Sequence, residues 1–307
     1  MKDFRASWNN AKVLIIGDVM LDKWTYHLKT RISPEAPIPV VKEEYFQSEL
    51  GGAGNALRHL NFLSNQNHEL LTVIGDDQAG YDLREVAKRS RSKIHWVQDY
   101  SRKTTVKERF FLNDDLIFRK DTEAVENVSV QVEAEIIDIL KSIANKFDVI
   151  LLSDYAKGVL SQNLIQQIRE ISRSLNIPTV VDPGLGRVQF YKGCTFIKPN
   201  LIEWTEYIES SGGEAEGLKL MFEQGTQSVL ITQSSQGLRY ITPIVDSTKV
   251  PRDAIEVVDV TGAGDSLAAA LSLLIGEGSS IIDCLEILNE IGANTVRQSK
   301  TQLPGEI

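Results

Sequence analysis

A glycine turn ends on an aspartate at Asp259-Val-Thr-Gly-Ala-Gly-Asp265, and the small-residue run Ser266-Leu-Ala-Ala-Ala270 follows it. Glycines just ahead of a helix let consecutive N–H groups converge on one point. The helix N-terminus adds partial positive charge, so such a turn attracts an anion. A carboxylate beside that anion is repelled unless it serves a third group between them, and a hydroxyl attacking a bound phosphate is such a group. On this reading Asp265 orients the hydroxyl and takes its proton late, while the amides of Gly262, Ala263 and Gly264 stabilise charge on the transferring group. Deprotonation beforehand is excluded, because an alcohol is about as weak an acid as water, with a pKa of roughly 15.7. A plain N-cap after a glycine turn is the other reading of these residues.

Three further segments carry groups suited to the same chemistry. Gly51-Gly52-Ala53-Gly54-Asn55 is a glycine-rich loop leading into a helix; it allows close backbone approach, and the Asn55 amide offers a polyol both a donor and an acceptor. A tight turn is the alternative. The run lacks the spacing of a dinucleotide loop and the Gly-Lys-Ser/Thr ending of a P-loop. Asn200-Leu-Ile-Glu203, after Lys198-Pro199, has the spacing of a helix capping box. The same pair could equally set oxygens beside a Mg2+–phosphate, since Mg2+ keeps waters and takes few carboxylates. Ile231-Thr232-Gln233-Ser234-Ser235-Gln236-Gly237 runs from a strand end into a turn and says little alone.

Holding these groups in place requires a scaffold, and the rest of the chain has its pattern. Short β-branched runs alternate with amphipathic stretches, as in a βα protein with a mainly parallel sheet. Strands are expected at residues 12–17, 70–74, 147–152, 178–181, 195–197 and 229–232. Helices are expected after Gly52 through Leu63, then at 81–88 (opened by Asp77), 130–144, 164–175, 263–275 and 281–296. Within 130–144, Val132, Ile136, Ile139, Leu140 and Ile143 recur at the helical period. Two regions break the alternation. Residues 23–46 are extended and hold Pro34, Pro37 and Pro39; residues 103–121 alternate like a hairpin around Asn113-Asp114-Asp115. Together they read as a small β lid over the active-site edge, with ordinary surface hairpins as the alternative.

Composition narrows the function classes. The 307 residues include 33 Lys and Arg against 42 Asp and Glu, a net charge of −9, which argues against a nucleic-acid or anionic-membrane partner. Cys194 and Cys284 are far apart with no CxxC, and the four histidines lack metal-ligand spacing, so neither a disulfide framework nor a zinc site is indicated. The first apolar run, residues 13–16, is too short for a signal peptide's core. No segment approaches the ~18 apolar residues of a membrane span. A reducing cytoplasm is the expected compartment. A dehydrogenase is disfavoured by the absence of a strand-linked GxGxxG.

Taken in order, these segments resemble the ribokinase-like (PfkB) sugar kinase family over nearly the whole chain. The pairing of a Gly-Gly-rich Asn motif with a C-terminal Asp-x-Thr-Gly-x-Gly-Asp motif carries the resemblance. It implies a single domain over 1–307, built as an α/β three-layer sandwich with a small β lid. Asp265 resembles the catalytic base and Gly262, Ala263 and Gly264 the anion hole. Asp18, Asp22, Gly51, Gly52 and Asn55 match positions that hold sugar hydroxyls. Asn200 and Glu203 resemble the Mg2+–phosphate motif. Thr232, Ser234 and Gly237 fall where ATP binds, with Asn289 near the adenine. Asp259 and Thr261 match a monovalent cation site that would take K+. Within the family, Gly17-Asp-Val-Met-Leu-Asp22, Thr30-Arg-Ile-Ser-Pro-Glu-Ala-Pro-Ile-Pro-Val-Val41 and Ser153-Asp-Tyr-Ala-Lys-Gly158 are similar to the D-glycero-D-manno-heptose-7-phosphate kinases. Those enzymes move the γ-phosphoryl of ATP to the anomeric hydroxyl, giving the 1,7-bisphosphate on the way to ADP-heptose and lipopolysaccharide core. Lys157 matches a lysine of that subgroup and would meet a phosphate; a surface lysine is the alternative. Another kinase of the family, for a ketose phosphate or nucleoside, and a non-catalytic sugar-phosphate sensor are the competing functional readings.

The chain also departs from the subgroup. Gly184 in Asp182-Pro183-Gly184 stands where those kinases often carry lysine, so a cation is missing from a phosphate-facing loop; Arg187 and Lys192 are the candidate replacements. Gly54 stands where alanine is frequent, and residues 292–302 are more polar than expected beside a cation site. With no HxGH-type segment before Ile307, the single-function kinase is expected rather than a nucleotidyltransferase fusion. A homodimer through the lid, with residues 24–46 contributing, is also expected.

Overall fold

Side chains alternate across the first strand: Leu14 and Ile16 enter one apolar core while Val13 and Ile15 enter another. A strand buried on both faces needs cover on both sides, and this requirement sets the architecture. The computed structural model describes residue 8 and residues 10–113, 115–250 and 262–296. In chain order the elements are β1 (Val13–Gly17), β2 (Val19–Ile32), β3 (Pro39–Gly52), α1 (Ala53–Leu63), β4 (Glu69–Gly75), α2 (Gln78–Ala87), β5 (Lys93–Asp99), β6 (Val106–Leu112) and β7 (Asp115–Thr122). There follow α3 (Val130–Ile143), β8 (Val149–Ser153), α4 (Gln162–Ser174), β9 (Thr179–Asp182), β10 (Phe196–Ile197), α5 (Leu201–Ser210), α6 (Glu214–Glu223), β11 (Ser228–Thr232), β12 (Leu238–Ile241), β13 (Asp246–Lys249), α7 (Ala263–Gly276) and α8 (Ile281–Val296).

Nine strands form the central sheet in the order β13-β12-β11-β10-β9-β8-β1-β4-β5. From β11 to β5 all neighbours are parallel; only the β11–β12 and β12–β13 pairings, at one edge, are antiparallel. The helices α1, α2, α7 and α8 contribute to the core on one face, and α3, α4, α5 and α6 to that on the other. The three-layer sandwich expected from the sequence is therefore present. A second sheet, β3-β2-β6-β7, carries the extended regions. Among the described residues no helix is long and apolar enough to cross a membrane.

Local chemistry sets the helix starts. Asp77 caps α2 by accepting from the Gly80 amide, Ser129 caps α3 through Val132, and Ser161 caps α4 through Leu164. α2 thus begins at Gln78, one turn before the apolar pattern alone suggests. The lid strands also outrun expectation: β2 starts at Val19, and β3 continues to Gly52. Gly51 and Gly52 are hence the end of a strand, and α1 begins at Ala53 with no intervening loop, which corrects the glycine-loop reading. Four elements had no signal in the sequence, and α5 had only its cap at Asn200. β5 is a half-exposed edge strand, α5 and α6 each bury only two residues, and β12–β13 form a short edge hairpin. None of them shows a long apolar period.

Candidate active site

Gly262 adopts φ 83°, a left-handed conformation that favours glycine, and it caps α7. One turn on, Asp265 is buried at 4% exposure. The Asn55 Nδ2, from the first turn of α1, donates to its Oδ2 at 2.7 Å, and the Tyr155 hydroxyl donates to its Oδ1. Burial, and then the nearby charge of Asp182, push the Asp265 carboxyl up to about 7; the bonds from Tyr155 and Asn55 and the charge of Lys198 oppose the rise. A base poised near neutrality is what late proton acceptance from a hydroxyl requires. Burial holds the Tyr155 hydroxyl protonated far beyond its ordinary range, so it remains a donor.

Tyr155 lies on the loop after β8, and Asp18 organises that loop. The Asp18 carboxylate accepts from the amides of Tyr155 (2.8 Å), Lys157 (3.1 Å) and Val159 (3.0 Å). Burial and then Asp154 push it up to about 6, while the three amides oppose this. Asp18, expected against a sugar hydroxyl, thus has its oxygens committed to backbone. Ala156 at φ 55° and Gly158 at φ 85° let the loop curl around it. The Lys157 ammonium, expected at a phosphate, is ion-paired to Glu123 at 2.8 Å.

The lid closes over this corner. Asp22, on β2, receives the Arg109 Nη1 from β6 at 2.8 Å. A methyl at Gly51 would sit 2.1 Å from the Asp22 Oδ2, so any larger residue there would displace that carboxylate. Gly52, at φ 59°, faces the Asp18 carbonyl, 2.4 Å from where its own methyl would lie. The Lys107 ammonium of β6 stands 5.9 Å from the centre of the Tyr155 ring. Asp22, Gly51, Gly52, Asn55 and Asp265 are brought to one corner by β2, β3 and the heads of α1 and α7.

Asp154, Asp182 and Lys198 follow or end the neighbouring strands β8, β9 and β10 at the same edge of the sheet. The Lys198 ammonium, 2% exposed, lies 2.8 Å from the Asp182 Oδ1. Asn200 and Glu203 form the full capping box of α5, with the Asn200 amide nitrogen 2.7 Å from the Glu203 Oε1 and the Asn200 N–H 2.8 Å from its Oε2. Burial, joined by Asp182 and Asp154, pushes Glu203 up to about 7. Thr232 bridges to Asn200 across the strand ends. Ser234 (φ 51°) and Gly237 (φ 86°) turn the chain into β12. Asn289 donates to the Lys249 carbonyl at 2.7 Å, tying α8 to β13. Asp259 and Thr261, expected at a monovalent cation, lie outside the described residues.

Arg187 does not replace the missing lysine. Its guanidinium is engaged by Asp154 and by the Leu160 carbonyl. The cation that reaches the 182–184 loop is Lys198, which the sequence reading did not single out. It also passed over Tyr155, Asp182 and Arg109. A lysine closing the apolar run Phe196-Ile197-Lys198 was the available signal for Lys198, and the stretch 153–158 already carried Tyr155.

A mainly parallel α/β sandwich with a β lid defines a ribokinase-like fold, and the buried carboxylate on a glycine bend between two helix heads is its candidate active site. Residues 10–307 match the pfkB family of carbohydrate kinases, and the chain belongs to that family. It is 32% identical over 293 residues to the bifunctional protein HldE of Pasteurella multocida, a match covering 94% of this chain and 60% of that protein. The chain thus spans about three fifths of the length of the curated relatives it matches. Its fold is similar to that of Escherichia coli phosphofructokinase-2 in complex with potassium (TM-score 0.75, 15% identity, 95% of each chain). It is also similar to Arabidopsis thaliana ribokinase complexed with ribose and ATP (TM-score 0.66, 16% identity, 94% of each chain).

Proposed function

We propose that this kinase transfers the γ-phosphoryl of ATP to the anomeric hydroxyl of D-glycero-D-manno-heptose 7-phosphate, giving the 1,7-bisphosphate for ADP-heptose and lipopolysaccharide core synthesis in the cytoplasm. The carrying observation is Asp265, buried, held by Asn55 and Tyr155, and set beside the amide bend at the head of α7. The subgroup stretches at 17–22, 30–41 and 153–158, together with the HldE relatives, favour a heptose phosphate over other sugars.

In this reading the sugar lies among Asp22, Asn55 and the glycines of β3, and its hydroxyl proton passes to Asp265. The amides of Gly262, Ala263 and Gly264 receive the transferring group. The nucleotide lies along Asn200, Thr232, Ser234 and Gly237, with Asn289 on its adenine side. Mg2+ fits the donors present: Asn200 and Glu203 offer hard oxygens in an acid-rich corner, and Mg2+ binds through one or two carboxylates plus substrate phosphates. Among the described residues no cluster of three or more acidic, His or Cys side chains would hold a metal alone, which suits an ion arriving with ATP. Bound there, Mg2+ would neutralise phosphate charge. K+ at Asp259 and Thr261 completes the proposal. So does a homodimer in which the lid's exposed Leu28, Val41, Phe46, Ile117 and Phe118 are covered by a second copy.

The test is phosphoryl transfer from ATP to a panel of sugars. Turnover of heptose 7-phosphate above ribose, fructose phosphates and nucleosides is expected. Turnover of one of those instead, with none of the heptose phosphate, overturns the substrate; sugar binding without ADP release supports the sensor.

A further inference from the structure

Lys198 is almost wholly buried, and Asp182 is the one partner its ammonium has among the described residues. An ammonium carries three donors, so among the described residues two have no protein acceptor. A buried ion pair is weak as a stabilising device, because desolvating both charges offsets their attraction. The position of this pair is more telling than its strength. A methyl built on Gly264 would lie 3.8 Å from the Lys198 Nζ and 3.7 Å from the Asp182 Oδ2, so the pair looks onto the amide bend of α7. The charges of both residues are felt by Asp265 on one side and by Glu203 on the other. The backbone of Lys198 is fixed by its amide donating to the Val181 carbonyl at 2.8 Å as the β9–β10 pairing ends.

We propose that Lys198 is a further catalytic residue, whose ammonium donates to the γ-phosphoryl group during transfer, with Asp182 as the carboxylate that holds it there. In that step the acceptor oxygen forms a bond to the γ-phosphorus while the bond to the β–γ bridging oxygen breaks. ADP leaves with that electron pair, and the hydroxyl proton goes to Asp265. Lys198 neither gains nor loses a proton; its two free N–H donors meet the charge on the transferring oxygens. The inference rests on ATP-dependent kinase activity and not on which sugar is the acceptor.

The experiment compares ATP and ADP binding by calorimetry, with Mg2+ present, in the wild-type chain, Lys198→Met, Lys198→Arg and the double variant Asp182→Asn/Lys198→Met. A donor to the γ-phosphoryl predicts that Lys198→Met weakens ATP by about tenfold or more, the effect of one lost charge-assisted hydrogen bond, and leaves ADP unchanged. Lys198→Arg should keep the preference for ATP. With whichever sugar the panel identifies, kcat should fall about 10²–10³-fold in Lys198→Met, as for loss of one transition-state donor. The double variant removes both charges, so it decides the matter should the single one fail to fold. Equal loss of both nucleotides, or of neither, in folded protein overturns the role of Lys198 alone. Failure of the wild type to bind ATP overturns the kinase reading and this inference with it.

Discussion

The Tyr155 hydroxyl donates to the Asp265 carboxylate, joining the loop after β8 to the head of α7. Because Asp18 holds that loop through three amides, the first strand's end reaches Asp265 in two steps. The Asp265 carboxylate is thus oriented from both flanks: Asn55 grips one oxygen and Tyr155 the other.

Asp265→Asn should lower kcat by about 10²–10⁴-fold, the range for a positioned general base, while ATP binding persists. Two donors already point at this side chain, and an amide offers them only one oxygen. Steady-state kinetics beside calorimetric ATP titration checks this; near-normal kcat removes Asp265 from its role.

The pH profile of kcat/KM should show an acid limb near pH 7. Asp265 accepts a proton only as the carboxylate, and burial followed by Asp182 raises it to about 7, so activity falls as pH drops through that value. Tyr155→Phe removes a bond that favours the ionised form, so the limb should move to higher pH. A limb near pH 4, or no movement in the variant, contradicts this.

Gly17→Ala should destabilise the fold. The added methyl would lie 1.9 Å from the Ser153 carbonyl oxygen, backbone that cannot swing aside. Overpacking of this kind costs about 1–3 kcal/mol, readable as a lower denaturation midpoint. An unchanged midpoint would mean that β1 and β8 separate more freely than their five-residue register implies.

Light scattering at micromolar concentration should report a dimer, and Phe46→Glu or Ile117→Glu should convert it to monomer without changing the far-UV spectrum. Phe46 is 58% and Ile117 55% exposed, large apolar surface for a lone chain to leave in water. A wild-type monomer refutes the lid interface.

Much of this was legible in the order of residues. Buried parallel strands read as apolar runs because both faces need cover, and Asp77 marks a helix start through its own oxygen. The GAGD turn was legible because its peculiarity is local: glycine for a positive φ, then a carboxylate one turn on. The body of α5 beyond its cap, α6, β5 and the β12–β13 hairpin were not, because they bury too little to impose a period.

The sequence by itself determined the alternation of strands and helices, the bend at Gly262, the acid at its end, and the cap at Asn200. These depend on neighbours within a turn or two, where propensity, φ and capping chemistry act. Only the tertiary structure decided which groups meet. It set Tyr155 and Asn55 on the Asp265 oxygens, turned Asp18 into a support for a loop, gave Arg187 to Asp154, and brought Lys198 onto Asp182. Side chains 210 positions apart, as Asn55 and Asp265 are, come into hydrogen-bond contact only when α1 and α7 pack side by side on one face of the sheet, and no local preference encodes that distance.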